Sequence, residues 1–146
     1  DLIEMTIFYD AKKKIAFRAP YDGQTDFASL VRQHPDTLLG DARGRLPLLH
    51  ILGNSFADFR EHLQVASTTT LANARWLIGE GCRPHSCNTS DGIYVIDVST
   101  GDAWALWFDD DKIGKAGPTL PSGPGGGYHA IDEWLKKHGS SVVQQQ

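Results

Sequence analysis

Ile93-Tyr94-Val95-Ile96-Asp97-Val98-Ser99-Thr100-Gly101-Asp102-Ala103-Trp104-Ala105-Leu106-Trp107-Phe108 decides the fold. Residues 93–98 form a β-branched and aromatic run, Ser99 to Asp102 carries the chemistry of a turn, and Ala103 to Phe108 reads as the hairpin partner. Arg75 to Ile78, upstream, is a further strand candidate that leads into Gly79-Glu80-Gly81-Cys82. Successive strands with short links argue for an antiparallel sheet. Trp104, Leu106 and Phe108 alternate with Ala103, Ala105 and Trp107, which leaves both faces of the sheet apolar. Helices can cover one face. The Gly-rich segment downstream, or a second copy of the chain in a homodimer, is left for the other.

Outward from this centre the signals are shorter. Met5 to Tyr9 and Ile15 to Phe17 predict an N-terminal hairpin around the polar Asp10 to Lys13. Thr25 or Asp26 can cap a helix carrying Phe27, Leu30, Val31 and His34 at helical spacing, stopped by Pro35. From Asp36 to Gly53 a Leu-rich segment is interrupted by Gly40, Gly44 and Pro47. Ser55, with Asp58 three residues on, predicts a capped helix with Phe56, Phe59 and Leu63 on one face. Gly114 to Gly127 has the composition of a mobile surface loop. Tyr128, Ile131, Trp134 or Leu135, and His138 mark a last helix stopped by Gly139, and 140–146 reads as a frayed tail. The expected class is α+β: a single antiparallel β-sheet with helices packed on one side, in one domain over residues 1–139.

At 146 residues and 16.0 kDa the chain has room for one domain with its own core. Lys and Arg number 14 against 18 Asp and Glu, a net charge of −4. With no basic run longer than Lys12-Lys13-Lys14, the sequence argues against nucleic-acid binding. No apolar stretch approaches the roughly 18 residues of a membrane span. Gly123 to Gly127 lacks the Gly-Lys-Ser/Thr of a phosphate loop. Asp109-Asp110-Asp111 reads as a solvated acidic turn, because the alternating ligands of a calcium loop are missing. No cofactor and no metal is indicated. His34 and His138 read as helix-ending residues, where a cation suits the dipole, while His50, His62 and His129 show no partner pattern.

Cys82-Arg83-Pro84-His85-Ser86-Cys87 is the segment that carries chemistry. Two cysteines between strand ends are close enough to bridge. Two reduced thiols are the bland alternative, and a small thiol-disulfide or metal-handling protein using Cys82 and Cys87 is the other. Redox pairs usually have C-x-x-C spacing at a helix N-terminus, whereas these flanks read as strands. Zinc needs four ligands, and Cys82, His85 and Cys87 supply three on a very short loop. If the pair bridges, closing about six residues stabilises by roughly 2 kcal/mol, a weak reason for the bond. Rigidity is a better one: Pro84 fixes one dihedral, the bridge fixes the ends, and His85 is presented at the tip.

The same string resembles the C-K-P-H-D-C loop of the inhibitor of vertebrate lysozyme family, which are bacterial periplasmic proteins. The likeness runs from Thr70 to Ile113, through Thr70-Leu71 and Trp76-Leu77-Ile78 before the loop and the hairpin after it. Ser86 stands where the family has an acidic residue, and Asn88 where it has glycine. The resemblance implies a non-enzymatic inhibitor, exported by a signal peptide that this sequence, beginning at Asp1, does not contain. It implies that Cys82 and Cys87 pair, and that Cys82, Arg83, Pro84, His85, Ser86 and Cys87 form the target-binding loop. His85 is then the key inhibitory residue, entering the cleft of a lysozyme or another muramidase, a rival's secreted toxin included, which would make the chain an immunity protein. A retaining cleft holds two carboxyl groups about 5 Å apart, and the two ring nitrogens of one imidazole can bridge them. The net negative charge suits approach to a strongly basic lysozyme.

Overall fold

The computed structural model describes residues 7–9, 15–17, 31–40, 42–66, 69–120 and 126–145. β1 (Ile7–Tyr9) and β2 (Ile15–Phe17) form the antiparallel hairpin expected at the N-terminus. The main sheet is antiparallel and six-stranded: β3 (Val65–Ala66), β4 (Thr70–Ala72), β5 (Trp76–Cys82), β6 (Ser90–Asp97), β7 (Ala103–Asp109) and β8 (Lys112–Ala116). The order is β3-β5-β6-β7-β8, with β4 also paired to β5. β6 is the spine, in register with β5 from Trp76↔Asp97 to Cys82↔Asp91 and with β7 from Ser90↔Asp109 to Ile96↔Ala103. The connection between β5 and β6 therefore leaves the same end of the sheet as the β7–β8 turn. The fold is α+β on one antiparallel sheet, as the sequence indicates.

The helices depart from the expected one-sided packing. α1 (Pro35–Gly40), α2 (Ala42–Leu52) and α3 (Phe56–Glu61) lie on one face, where Leu39, Leu48, Phe59 and Leu63 pack with Tyr94, Ile96 and Ala105. α4 (Gly126–Lys137) covers the other face, where Ile131, Trp134 and Leu135 pack with Ile93, Val95, Trp104 and Leu106. The period-2 alternation of β6 sends Ile93 and Val95 one way and Tyr94 and Ile96 the other. The second apolar face is thus covered by the chain's own last helix. Past Gly139, in the tail expected to fray, α5 (Val142–Gln145) adds a helical turn and Val142 is buried in the α4-side core.

Several local readings are corrected by packing. Pro35 opens α1, where the first helical position needs no N–H donor. His34 accordingly caps this helix, Nδ1 accepting from the Asp36 N–H at 3.0 Å, while its Nε2 lies 3.2 Å from the Gln64 carbonyl. The helix proposed before Pro35 falls largely outside the described residues, and 31–34 are not helical. Ser55 does precede α3, but its side chain makes no capping bond. β5 continues through its glycines because Tyr94 lies across Gly79, where a Cβ would come within 2.3 Å of the phenol ring. β8 replaces the first part of the expected loop. Gly114 makes room there for the Trp107 indole, which a Cβ would meet at 2.2 Å. Leu120 is buried, and Trp104 Nε1 donates to the carbonyls of Pro118 and Thr119.

Candidate functional site

β5 ends at Cys82 and β6 begins at Ser90, so the intervening segment is a loop at one end of the sheet. Cys82 and Cys87 form a disulfide with a Cα–Cα distance of 4.9 Å. Within it Arg83-Pro84-His85-Ser86 is a β-turn, closed by the Ser86 N–H donating to the Arg83 carbonyl at 3.0 Å. Pro84 occupies the position where its fixed dihedral is favoured, and His85 takes a φ of 64° in the left-handed region. A second turn follows, the Ser90 N–H donating to the Ser86 carbonyl at 2.8 Å and the Arg83 N–H to the Ser90 carbonyl at 3.0 Å. His85 and Pro84 are exposed at the tip.

The loop's foot is polar on both faces of the sheet. On the α3 face, His62 is fully buried between two acceptors: Nδ1 is 2.8 Å from the Asp58 carbonyl and Nε2 is 2.9 Å from the Asp109 carboxylate. Since both partners only accept, both bonds form when the ring carries a proton on each nitrogen. Ser90 Oγ donates to Asp109 at 2.5 Å, and Arg83 reaches Ser90 Oγ with Nε and Asp58 with Nη2, at 3.3 and 3.0 Å. Burial alone would raise the Asp109 carboxyl. The hydrogen bonds from Ser90 and His62, with the charges of His62 and Arg83, outweigh it and hold the group below its ordinary value. On the α4 face, His138 Nε2 is 2.8 Å from Asp91, the register partner of Cys82, and the ring stacks on Phe108. Gly139 and Ser140 close α4 with N–H bonds to the carbonyls of Lys136 and Leu135, which aims His138 inward.

The six loop residues expected from the sequence are therefore contiguous in space, and Arg83 is the one that turns back onto the domain. The residues missed are those beneath. His62 shows its hint in Asp58 four positions earlier on one helix face, but its partner Asp109 comes from the acidic turn expected to be solvated. That turn keeps Asp110 and Asp111 exposed while Asp109 faces inward. Among the described residues, Asp58, His62 and Asp109 are the group close enough to hold a cation, with ligand atoms within 4.8 Å of one another. Both His62 nitrogens are already engaged, by the Asp58 carbonyl and the Asp109 carboxylate, so the group is satisfied as a hydrogen-bonded network. Both cysteines are spent on the disulfide, which ties the loop residue Cys87 to the end of β5 at Cys82 rather than to a helix N-terminus.

Fold and loop together define a small α+β domain with a stapled, exposed loop at one end of its sheet. The family model described as inhibitor of vertebrate lysozyme (Ivy) matches residues 47–137, from within α2 to the end of α4 and including the whole loop. That is more than half of the chain, and the chain belongs to the inhibitor of vertebrate lysozyme family. No curated protein and no solved structure matches it significantly.

Proposed function

We propose that this protein inhibits a lysozyme or related muramidase by placing the Cys82–Cys87 loop in the enzyme's active-site cleft, with His85 meeting the catalytic carboxyl groups. The observation that carries this reading is the state of His85. Among the described residues it makes no hydrogen bond, ion pair or ring contact, whereas His34, His62 and His138 are all committed to internal partners. An imidazole at the tip of a stapled turn, with both ring nitrogens open, can bridge an acid and a carboxylate about 5 Å apart. The loop offers no glycosidic bond, so occupancy ends without reaction. Family membership supports a lysozyme as the partner class and is consistent with a periplasmic or secreted location; the net charge of −4 favours encounter with a basic enzyme. The protein acts by binding, not by catalysis.

Titration against goose-, chicken- and phage-type lysozymes identifies the target class. Against the enzyme inhibited, His85→Ala is expected to weaken inhibition by roughly 10- to 1,000-fold, as for removal of a central anchor. His85→Gln loses less, because an amide keeps a donor and an acceptor. Melting should be unchanged, since an exposed tip has little packing to lose. Undiminished inhibition by His85→Ala would end the reading.

A further inference from the structure

The polar contacts beneath the loop form a closed circuit. Arg83 Nη2 donates to the Asp58 carboxylate, the Asp58 carbonyl accepts from His62 Nδ1, and His62 Nε2 donates to Asp109. Asp109 accepts from Ser90 Oγ, which in turn accepts from Arg83 Nε. Five residues from α3, β6, β7 and the loop are joined in sequence, and each donor in the circuit meets an acceptor. The disulfide fixes how far apart the ends of the loop lie. It joins Cys87 to the last residue of β5 and includes no residue of α3, so the tilt of the Arg83-Pro84-His85-Ser86 turn relative to that helix is left to the circuit. Asp58 is the one member of the circuit that reaches Arg83 from outside the sheet. At 34% side-chain exposure for Arg83 and 61% for Asp58, the pair contributes little to global stability. An ordered loop contributes to affinity instead, by removing an entropy cost from binding.

We propose that Arg83 and Asp58 are positioning residues for inhibition: their ion pair, anchored through Ser90, Asp109 and the buried His62, sets the direction in which His85 projects. The proposal rests on the plug reading above and adds to it a pair of residues, one of them on a helix outside the loop. A solvated rim charge at Arg83 would instead alter the association rate alone.

The test uses the whole chain and two readouts, inhibition of the lysozyme that wild type inhibits and ¹⁵N relaxation of the Ser86 and Cys87 amides in the free protein. Asp58→Ala and Arg83→Ala are each expected to weaken inhibition by about tenfold, or ~1.4 kcal/mol. The effect should fall mainly on dissociation, with increased motion of the loop amides and little change in melting. The exchanged pair Asp58→Arg with Arg83→Asp should recover loop order and most of the inhibition. Residues that touched the enzyme directly would not be rescued by exchange, so weak inhibition with an unchanged free loop, or no rescue, overturns the proposal. Asp58→Ala inhibiting as well as wild type while His85→Ala fails overturns it and leaves the plug reading intact. Full activity of His85→Ala removes the plug reading, and the relaxation data then decide the positioning claim alone: a loop as ordered in Asp58→Ala as in wild type overturns it.

Discussion

His62→Ala removes the buried centre of the network, and its cost can be assembled from the structure. The Asp58 carbonyl loses one ordinary hydrogen bond, worth about 1 kcal/mol net. The Asp109 carboxylate loses a charge-assisted bond, but its side chain is 41% exposed. Water replaces part of that bond, which discounts the loss to about 1 kcal/mol. The His62 ring is fully buried, and the cavity left in its place adds about 1–2 kcal/mol. The sum, about 3–4 kcal/mol, lowers the melting temperature of a domain this size by roughly 10 °C. His62→Gln, which keeps one donor, should cost about half as much. Thermal and urea unfolding of the two variants supply the comparison, with inhibition measured below each transition. Inhibition should fall as well, because Asp109 and Ser90 lose the partner that ties them to α3. A melting temperature within about 2 °C of wild type for His62→Ala would refute the reasoning. The ring would then be filling space that the neighbouring side chains can close.

Acid should weaken the fold through two carboxylates. Burial alone would raise the Asp97 carboxyl, but hydrogen bonds from Arg75 and Ser99 and the charge of Arg75 hold it below its ordinary value, as with Asp109. Both folded-state values lie below the unfolded ones, so their stabilisation is complete above about pH 4 and is lost as pH falls through the folded values. Urea midpoints measured from pH 7 downward should drop most steeply below that point, and Asp97→Asn should flatten the curve; an identical pH profile in the variant would contradict the assignment. Gly79→Ala should destabilise by about 2 kcal/mol or more, because the fully buried Tyr94, held by its hydroxyl to the Pro35 carbonyl at 3.0 Å, has nowhere to move. Gly40→Ala, whose Cβ would meet, among the described residues, Arg60 Nη2 at 3.8 Å, should be neutral or slightly stabilising in the same unfolding assay.

The central hairpin is legible because its residues prefer strands and its packing agrees with that preference. The same alternation also says that both faces of the sheet must be covered, although it does not say by what. Gly79 and Gly114 are where reading by composition fails. Glycine weakens a strand locally, yet here each glycine leaves the volume that a neighbouring Tyr94 or Trp107 ring occupies. Pro35 misleads for a related reason: proline ends one helix pattern but is equally at home opening another, and only the His34 cap decides between them. The loop is readable because its six residues are contiguous. Its support is not, because it joins Asp58 to Arg83 and His62 to Asp109 across the chain, and pairwise contacts at such separations leave little trace in one sequence.

The backbone at position 85 also limits which tip chemistries this scaffold can carry. A left-handed φ of 64° admits glycine freely, is populated by asparagine, aspartate and histidine, and excludes β-branched side chains. Glycine brings no functional group, and aspartate would set a negative charge against the ionised carboxylate of the proposed target cleft. Histidine is the side chain that both tolerates the turn and offers nitrogens on opposite edges of a rigid ring. Variation at this site is therefore confined to a small alphabet, and under the proposed plug reading a change of target would be written into the shoulders of the loop, at Ser86 and Asn88, rather than at its apex.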